Sequence, residues 1–200
     1  MRWGSTDISK LDYAATLLAA LSYVLTRQGD AVSLICFDEE VRERVPPRSG
    51  PAHLDYLLRS LAAPPAPRNG TALHASLDSL IEHAGRMGVV VVASDLLDLD
   101  GDALAPVARI QARGHQTIVL HVLDPAELEL PYEQPMHFEG LEGEMPVEVD
   151  PAGVRRRYRE AIDAFVESCQ RRVVAAGARY LLARTDVAPE HLLLQLLRAG

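Results

Sequence analysis

The sequence predicts an α/β fold, a doubly wound and mostly parallel sheet with helices on both faces. Helical apolar spacing and short apolar runs alternate along most of the 200 residues, as in sheets whose strands are joined by crossover helices. Residues 89–93, four valines and an alanine, form a uniformly apolar run that suits a strand buried on both faces. A chain of this length with 48% hydrophobic residues can bury its own core, so we expect one domain over residues 1–200.

The individual elements follow from local signals. Ser9 and Asp12 are placed to cap the start of a first helix, and Gly29 suits the position just past its end. Two β-rich runs then flank an acidic turn, which predicts an antiparallel hairpin. The predicted elements are, in chain order, a helix at 9–28, strands at 31–37 and 41–45, helices at 53–61 and 73–84, a strand at 89–93, a helix at 102–113, a strand at 116–123, an edge hairpin that includes 145–149, a helix at 150–177, a strand at 178–183 and a helix at 189–198.

Composition excludes several classes of protein. The formal net charge of −8 argues against nucleic-acid binding, which usually needs a basic face. No apolar run approaches the roughly 20 residues of a membrane span, and no secretory leader opens the sequence, so we expect a cytoplasmic protein. The two cysteines, Cys36 and Cys169, are too few for a disulfide scaffold or a cysteine-only zinc site.

The carboxyl end of the apolar strand carries the strongest candidate site. Ligands of open parallel sheets bind outside the carboxyl ends of the strands. Asp95 follows that strand directly, Asp98 lies one turn further on, and Thr71 follows a glycine-containing loop at a helix start. Carboxylate and hydroxyl oxygens suit a hard cation. The alternative is that Asp95 and Thr71 are only helix N-caps, for which both residue types are favoured.

Motifs for catalysis are missing from the sequence. There is no Gly-x-Gly-x-x-Gly, phosphate-binding loop or Gly-x-Ser-x-Gly, and no two of the seven histidines have metal-ligand spacing. Both cysteines are interpreted as small core residues. We therefore expect no enzymatic activity and no catalytic residues. The enzymatic alternative is a metal-dependent hydrolase or phosphatase that uses Asp95 and Asp98.

Nearly the whole chain, in order, resembles bacterial von Willebrand factor A-like proteins. Within them it is similar to the domain-of-unknown-function family that is often encoded beside MoxR-type AAA+ ATPases. The segments that carry the resemblance are Lys10-Leu11-Asp12-Tyr13-Ala14, residues 27–32, Phe37-Asp38, residues 45–48, Gly70-Thr71, residues 92–98, Arg113-Gly114-His115, residues 121–131 and Arg184-Thr185-Asp186.

This resemblance implies a non-enzymatic protein-interaction module. Its partners would be a MoxR-type AAA+ ATPase and the client of that ATPase. The family's metal-ion-dependent adhesion site combines an Asp-x-Ser-x-Ser loop after the first strand, a threonine matched here by Thr71, and an aspartate matched here by Asp95. Such a site holds Mg²⁺ and leaves one coordination position for a partner's carboxylate, in keeping with octahedral oxygen ligation.

The sequence departs from the family pattern in two places. Ala72 stands where relatives commonly carry aspartate, and the first strand with its Asp-x-Ser-x-Ser loop is not in the sequence. Met1 falls where the methionine after that loop would fall, so the expectation is an incomplete domain without its central strand. We expect Mg²⁺ binding by this chain to be weak or absent. A degenerate chain that has no metal function and keeps only surface contacts is the remaining alternative.

Overall fold

The computed structural model describes residues 1, 4–38, 40–64, 73–83, 87–97, 99, 101–134, 136–138, 147–149 and 151–197. Helices and strands alternate along these residues, as the sequence predicts. In chain order the elements are α1 (Lys10–Gln28), β1 (Val32–Phe37), β2 (Val41–Arg48), α2 (Pro51–Ala62), α3 (Leu73–His83), β3 (Val89–Ser94), α4 (Ala105–Ala112), β4 (Gln116–Leu123), α5 (Pro125–Glu129), β5 (Met136–Phe138), β6 (Val147–Val149), α6 (Pro151–Ala175), β7 (Arg179–Arg184) and α7 (Pro189–Leu197).

A three-stranded parallel sheet lies at the centre of the described structure. Its strand order is β3-β4-β7, with Val92 opposite Val119 and Val122 opposite Ala183. β4 is buried along seven of its eight residues, as expected for a middle strand with helices on both faces. Because the three strands are parallel, the loops that follow them meet at one edge of the sheet.

Helices cover both faces of this sheet, which agrees with the α/β class. Alternate residues of β4 belong to opposite apolar clusters, since successive side chains of a strand point to opposite faces. The cluster on one face includes Leu73, Leu77 and Ile81 of α3, Val107 and Ile110 of α4, and Cys169 and Val173 of α6. The cluster on the other face includes Tyr13, Ala14 and Leu17 of α1, and Leu192 and Leu196 of α7.

The first hairpin is separate from the parallel sheet. β1 and β2 pair antiparallel, as predicted, and form a two-stranded sheet of their own. Within the described residues, β1 has only β2 as a strand neighbour and β3 has only β4. Most of β1 is half-buried, although its sequence is as apolar as that of a core strand. Each of these two apolar strands therefore has one edge without a strand partner in this part of the chain.

Local structure differs from the sequence prediction after β3 and β4. No helix begins at Asp95 in the described segment 87–97; instead Leu96 adopts a left-handed φ of 54°, and its amide N–H donates to Ser94 Oγ at 3.1 Å. The N-cap interpretation of Asp95 is therefore wrong. After β4, the short helix α5 was not predicted, because five residues are too few to give an apolar period. In the described ranges, no helix has the length and apolar character needed to span a bilayer.

Candidate functional site

Six polar side chains form a connected set at the carboxyl edge of the parallel sheet. We call this set the carboxyl-edge network. It joins the residues before and at the start of α1 to the residues that follow each of the three parallel strands. Its members are Ser5, Lys10, Asp95, Asp124, Glu127 and Thr185.

Asp95, the sequence-predicted ligand after β3, is bonded to cations of the chain itself. Its Oδ2 lies 3.1 Å from Lys10 Nζ and 3.2 Å from the Met1 amino nitrogen. Lys10 is only 3% exposed, although lysine is almost never fully buried unless it is paired. Burial alone would raise the pKa of Asp95, but Lys10 and the Met1 nitrogen outweigh this effect and hold that pKa below its ordinary value. Asp95 is therefore an ionised partner in a buried ion pair.

Glu127 connects Lys10 to the residue after β4. Lys10 Nζ donates to Glu127 Oε1 at 2.6 Å, and the other carboxylate oxygen of Glu127 accepts from the Asp124 backbone N–H at 2.9 Å. The Asp124 side chain in turn accepts from the Ala126 N–H at 2.9 Å and from the backbone N–H of Glu127, and the Glu127 bond completes a reciprocal capping box at the start of α5. One carboxylate thus fixes the start of a helix and helps to neutralise the buried ammonium.

Asp124 is fully buried and ties three segments together. Its carboxylate accepts from the Ser5 N–H at 2.8 Å, from the Ser5 hydroxyl, and from Thr185 Oγ1 at 3.2 Å. Burial raises the pKa of Asp124, but the bonds from Ser5, Ala126 and Thr185 outweigh it and lower the pKa below its ordinary value. The segment before α1 and the end of β7 are held to α5 through this side chain.

The buried side chain of His121 forms a hydrogen bond to the backbone of Asp95. Its Nε2–H donates to the Asp95 carbonyl at 2.9 Å, because a carbonyl can only accept, and its Nδ1 accepts from the Tyr180 hydroxyl at 2.8 Å. This arrangement needs a neutral imidazole. Burial lowers the pKa of His121 to about 4; the bond to the Asp95 carbonyl and the Asp95 charge oppose this shift, and Lys10 adds to it. The histidine therefore serves as a structural core residue, as its position within a strand predicts.

The pKa of His121 predicts a pH-dependent stability. The unfolded chain takes up a proton near 6.5, whereas the folded chain does so only near 4, so stability is lost as the pH falls between these values. The loss should reach on the order of 3 kcal/mol, at 1.36 kcal/mol per pKa unit. Urea denaturation from pH 8 to pH 4 measures it. His121→Gln is the control: it should be less stable at pH 8 and should lack this component of the slope, and an unchanged slope would contradict the assignment.

The hydroxyl groups of the site make structural hydrogen bonds, and the two cysteine thiols lie elsewhere in the fold with raised pKa values. The Ser5 and Thr185 hydroxyls donate to Asp124, and Ser94 Oγ accepts the Leu96 N–H. Burial raises the pKa of the Cys36 thiol to about 11, and it raises that of the Cys169 thiol despite the nearby Arg172 charge. These groups hold the fold together, and neither thiol is activated as a nucleophile.

The described residues do not fit a divalent cation. Of the predicted metal residues only Asp95 is described; Thr71, and Asp98 of the enzymatic alternative, lie outside the described residues. No group of three or more histidine, cysteine, aspartate or glutamate side chains within the described ranges is arranged to hold a metal ion. One carboxylate oxygen of Asp95, Oδ2, already accepts from Lys10 and lies 3.2 Å from the Met1 nitrogen. An ammonium thus faces Asp95, the residue that the resemblance matches to a metal ligand.

Five of the six network residues were not predicted as site residues. Two signals for them exist in the sequence. Lys10 is the only lysine in the chain, and Asp124-Pro125-Ala126-Glu127 has the pattern of a capping box with proline at the first helical position. Ser5 and Thr185 carry no comparable signal, because their partner Asp124 is 119 and 61 residues away in sequence.

Comparison with known sequences identifies relatives over most of the chain. The family described as "Protein of unknown function DUF58" matches residues 1–168. Uncharacterized protein Rv1480 of Mycobacterium tuberculosis is 29% identical over 188 residues, which are 92% of this chain and 58% of the relative. Uncharacterized protein MAV169 of Mycobacterium avium is 32% identical over 146 residues, 72% of this chain and 85% of the relative. The chain therefore spans little more than half the length of Rv1480.

Two solved structures share the fold at low sequence identity. The conserved hypothetical protein BatB from Bacteroides thetaiotaomicron superposes with a TM-score of 0.62 at 16% identity, over 96% of this chain and 89% of that one. An aerotolerance-related membrane protein from Bacteroides fragilis superposes with a TM-score of 0.63 at 18% identity, over the same shares of the two chains. At these identities the likeness describes the α/β architecture alone.

Proposed function

Since the chain belongs to the DUF58 family of proteins of unknown function, we propose that it is a non-enzymatic protein-interaction module of the von Willebrand factor A type. It binds its partner at the carboxyl edge of the parallel sheet. The proposed partner is a cytoplasmic MoxR-type AAA+ ATPase, together with the client on which that ATPase acts. The choice of partner rests on the resemblance of segments such as residues 121–131 and 184–186 to the family encoded beside such ATPases.

The observation that carries the proposal is the exposed Leu97 beside a rigid polar network. The side chain of Leu97 is 62% exposed, whereas the preceding Leu96 is 2% exposed and anchors the loop in the core. Leu96 holds a left-handed φ of 54°, which is costly for a branched residue and is found mainly at functional loops. An exposed apolar side chain that follows a residue anchored in the core is a suitable anchor for a protein partner.

Charged residues at the end of β7 supply a polar rim for the same edge. Arg184 donates to Glu129 at 3.0 Å and to Asp186 at 2.8 Å, and its side chain is 34% exposed. Protein interfaces commonly combine an apolar centre with a polar, solvent-accessible rim. A partner with a small apolar pocket bordered by charges of both signs would match this edge.

The unpaired edges of β1 and β3 support the von Willebrand factor A-like part of the proposal. That fold places a further parallel strand between these two. Both are apolar strands that have only one strand neighbour among the described residues. Leaving such edges open invites pairing with another strand. In the complete module, we propose, one strand covers both edges.

The proposal is tested with Leu97→Asp. Placing a charge at the centre of the proposed interface should weaken binding of the purified chain to a MoxR-type AAA+ ATPase from the same organism by about tenfold or more, since hot-spot substitutions exceed 1.4 kcal/mol. Biolayer interferometry measures the Kd. The matched control is Met87→Asp, because Met87 is 79% exposed in the loop before β3, at the opposite edge of the same sheet.

These measurements distinguish a wrongly assigned binding surface from a wrongly assigned partner. Equal weakening by Leu97→Asp and Met87→Asp would contradict a binding site at the carboxyl edge. Absence of saturable binding by the unmodified chain would reject the MoxR-type ATPase as the partner. Circular dichroism of both variants confirms that they remain folded, as expected for substitutions at exposed loop positions.

A further inference from the structure

We infer that the ammonium group of Lys10 is the built-in cation of the carboxyl-edge network and excludes a divalent ion from Asp95. The inference concerns ions and this chain alone, so it holds whatever partner the chain binds. It gives the expected weak or absent Mg²⁺ binding of this chain a cause other than the missing Asp-x-Ser-x-Ser loop.

The position of Lys10 is fixed by the backbone around it. It is the first residue of α1, whose N-cap Ser9 accepts the Asp12 N–H at 3.1 Å. The next residue, Leu11, donates its N–H to the Met1 carbonyl at 2.8 Å. Because the helix start is fixed on both sides, the lysine stem leads to one place, between the end of β3 and the start of α5. Its 3% exposure leaves the ammonium almost no contact with water.

The ammonium bonds match those of a bridging cation. Lys10 Nζ donates at 3.1 Å to Asp95 Oδ2 and at 2.6 Å to Glu127 Oε1, so that one positive charge joins two carboxylates from different strand ends. An ammonium has three donors and no acceptor, so it can satisfy both carboxylates without water. The residues therefore provide the charge and the geometry that a bound metal would otherwise supply.

A divalent ion and Lys10 cannot share this position. Mg²⁺ would have to lie about 2.1 Å from a carboxylate oxygen, and the Oδ2 that faces the network already accepts from Nζ. The Met1 amino nitrogen also lies 3.2 Å from this oxygen, so a divalent ion would add a third positive group to an oxygen that two cations already face. Displacing the ammonium from Asp95 would leave it buried with Glu127 as its one carboxylate partner, which is unfavourable. Removal of Lys10, in contrast, takes away the cation that joins the Asp95 and Glu127 carboxylates and leaves the Met1 nitrogen as the cation at Asp95, so that a hard cation can bind the freed carboxylate oxygens.

The experiment titrates Mg²⁺ and Ca²⁺ into the purified chain and its variants by isothermal titration calorimetry, with thermal unfolding in parallel. The unmodified chain should show no saturable uptake below about 10 mM and no change in Tm with EDTA, because Lys10 already neutralises the site. Lys10→Ala should gain saturable binding at least tenfold tighter than that limit, and its Tm should rise by a few degrees with the ion, since a ligand of the folded state stabilises it. Lys10→Ala/Asp95→Asn should lose both effects.

Two further variants keep the inference falsifiable if Lys10→Ala folds poorly. Lys10→Gln keeps most of the side-chain volume without the charge and should also gain ion binding, whereas Lys10→Arg keeps the charge and should not. Tight Mg²⁺ uptake by the unmodified chain that is lost in Asp95→Asn would overturn the inference. So would failure of both neutral variants to bind either ion.

Discussion

Replacing Lys10 with methionine is expected to lower the free energy of unfolding by about 3–5 kcal/mol, the usual effect of removing one partner from a buried ion pair. Because methionine fills a similar volume, the loss of unfolding free energy measures the contribution of the Lys10 charge and its hydrogen bonds. Asp95 and Glu127 would each lose a donor while the Lys10 position is only 3% exposed. Urea denaturation at pH 7 measures the change.

A double-mutant cycle with Asp95→Asn separates the ion pair from other effects. Lys10→Met leaves Asp95 with the Met1 nitrogen as its one cation, and Asp95→Asn leaves Lys10 with Glu127 as its one carboxylate, whereas the pair Lys10→Met/Asp95→Asn removes both charges of the contact. The double variant should therefore be more stable than the sum of the single losses predicts, with a coupling energy of about 1–3 kcal/mol. Additive losses, or a loss below about 0.5 kcal/mol for Lys10→Met, would contradict the role given to this lysine.

The sequence predicts the elements of the fold well where the signal is local. The predicted strand at residues 116–123 and the predicted first helix match β4 and α1. The signals for them, the apolar run of β4 and the caps Ser9 and Gly29, lie within or beside the element concerned. Prediction is poorer where the outcome depends on strand pairing. The separation of the β1–β2 hairpin from the parallel sheet depends on which strands pair with each other along their edges. No local sequence pattern specifies that pairing.

The position of the candidate site could be predicted from the sequence, but the group that faces Asp95 could not. The rule for parallel sheets led to the edge that contains Asp95, and the structure has a polar network there. The partner of Asp95, however, is 85 residues away at the start of α1. Sequence spacing shows that Lys10 starts a helix, but it does not show where the stem of that lysine leads. A carboxylate after a strand therefore looks the same in sequence whether a metal or an ammonium faces it.

Replacing Asp124 with alanine is the second change expected to have a large effect, about 4 kcal/mol of unfolding free energy. Asp124 is fully buried and accepts from Ser5, Ala126 and Thr185. Its removal leaves the buried Ala126 N–H and Thr185 hydroxyl without their acceptor, at about 1–3 kcal/mol each, and it deletes the N-cap of α5, whereas the exposed Ser5 can bond to water instead. Guanidinium denaturation at pH 7 measures the loss.

The single-donor variants Ser5→Ala and Thr185→Ala are matched controls for this prediction. Each removes one donor and keeps the carboxylate, so each should cost about 1 kcal/mol. Adding Ser5→Ala to Asp124→Ala should lower the free energy of unfolding little further, because Ser5 then has no acceptor to lose.

The lowered pKa of Asp124 also predicts how stability depends on pH. The stabilisation by this carboxylate is present above the unfolded-state pKa near 3.9 and is lost as the pH falls through the lower folded-state pKa. Asp124→Asn should therefore flatten the acid limb of the stability curve, and an unchanged limb would mean that this carboxylate is not ionised in the folded chain.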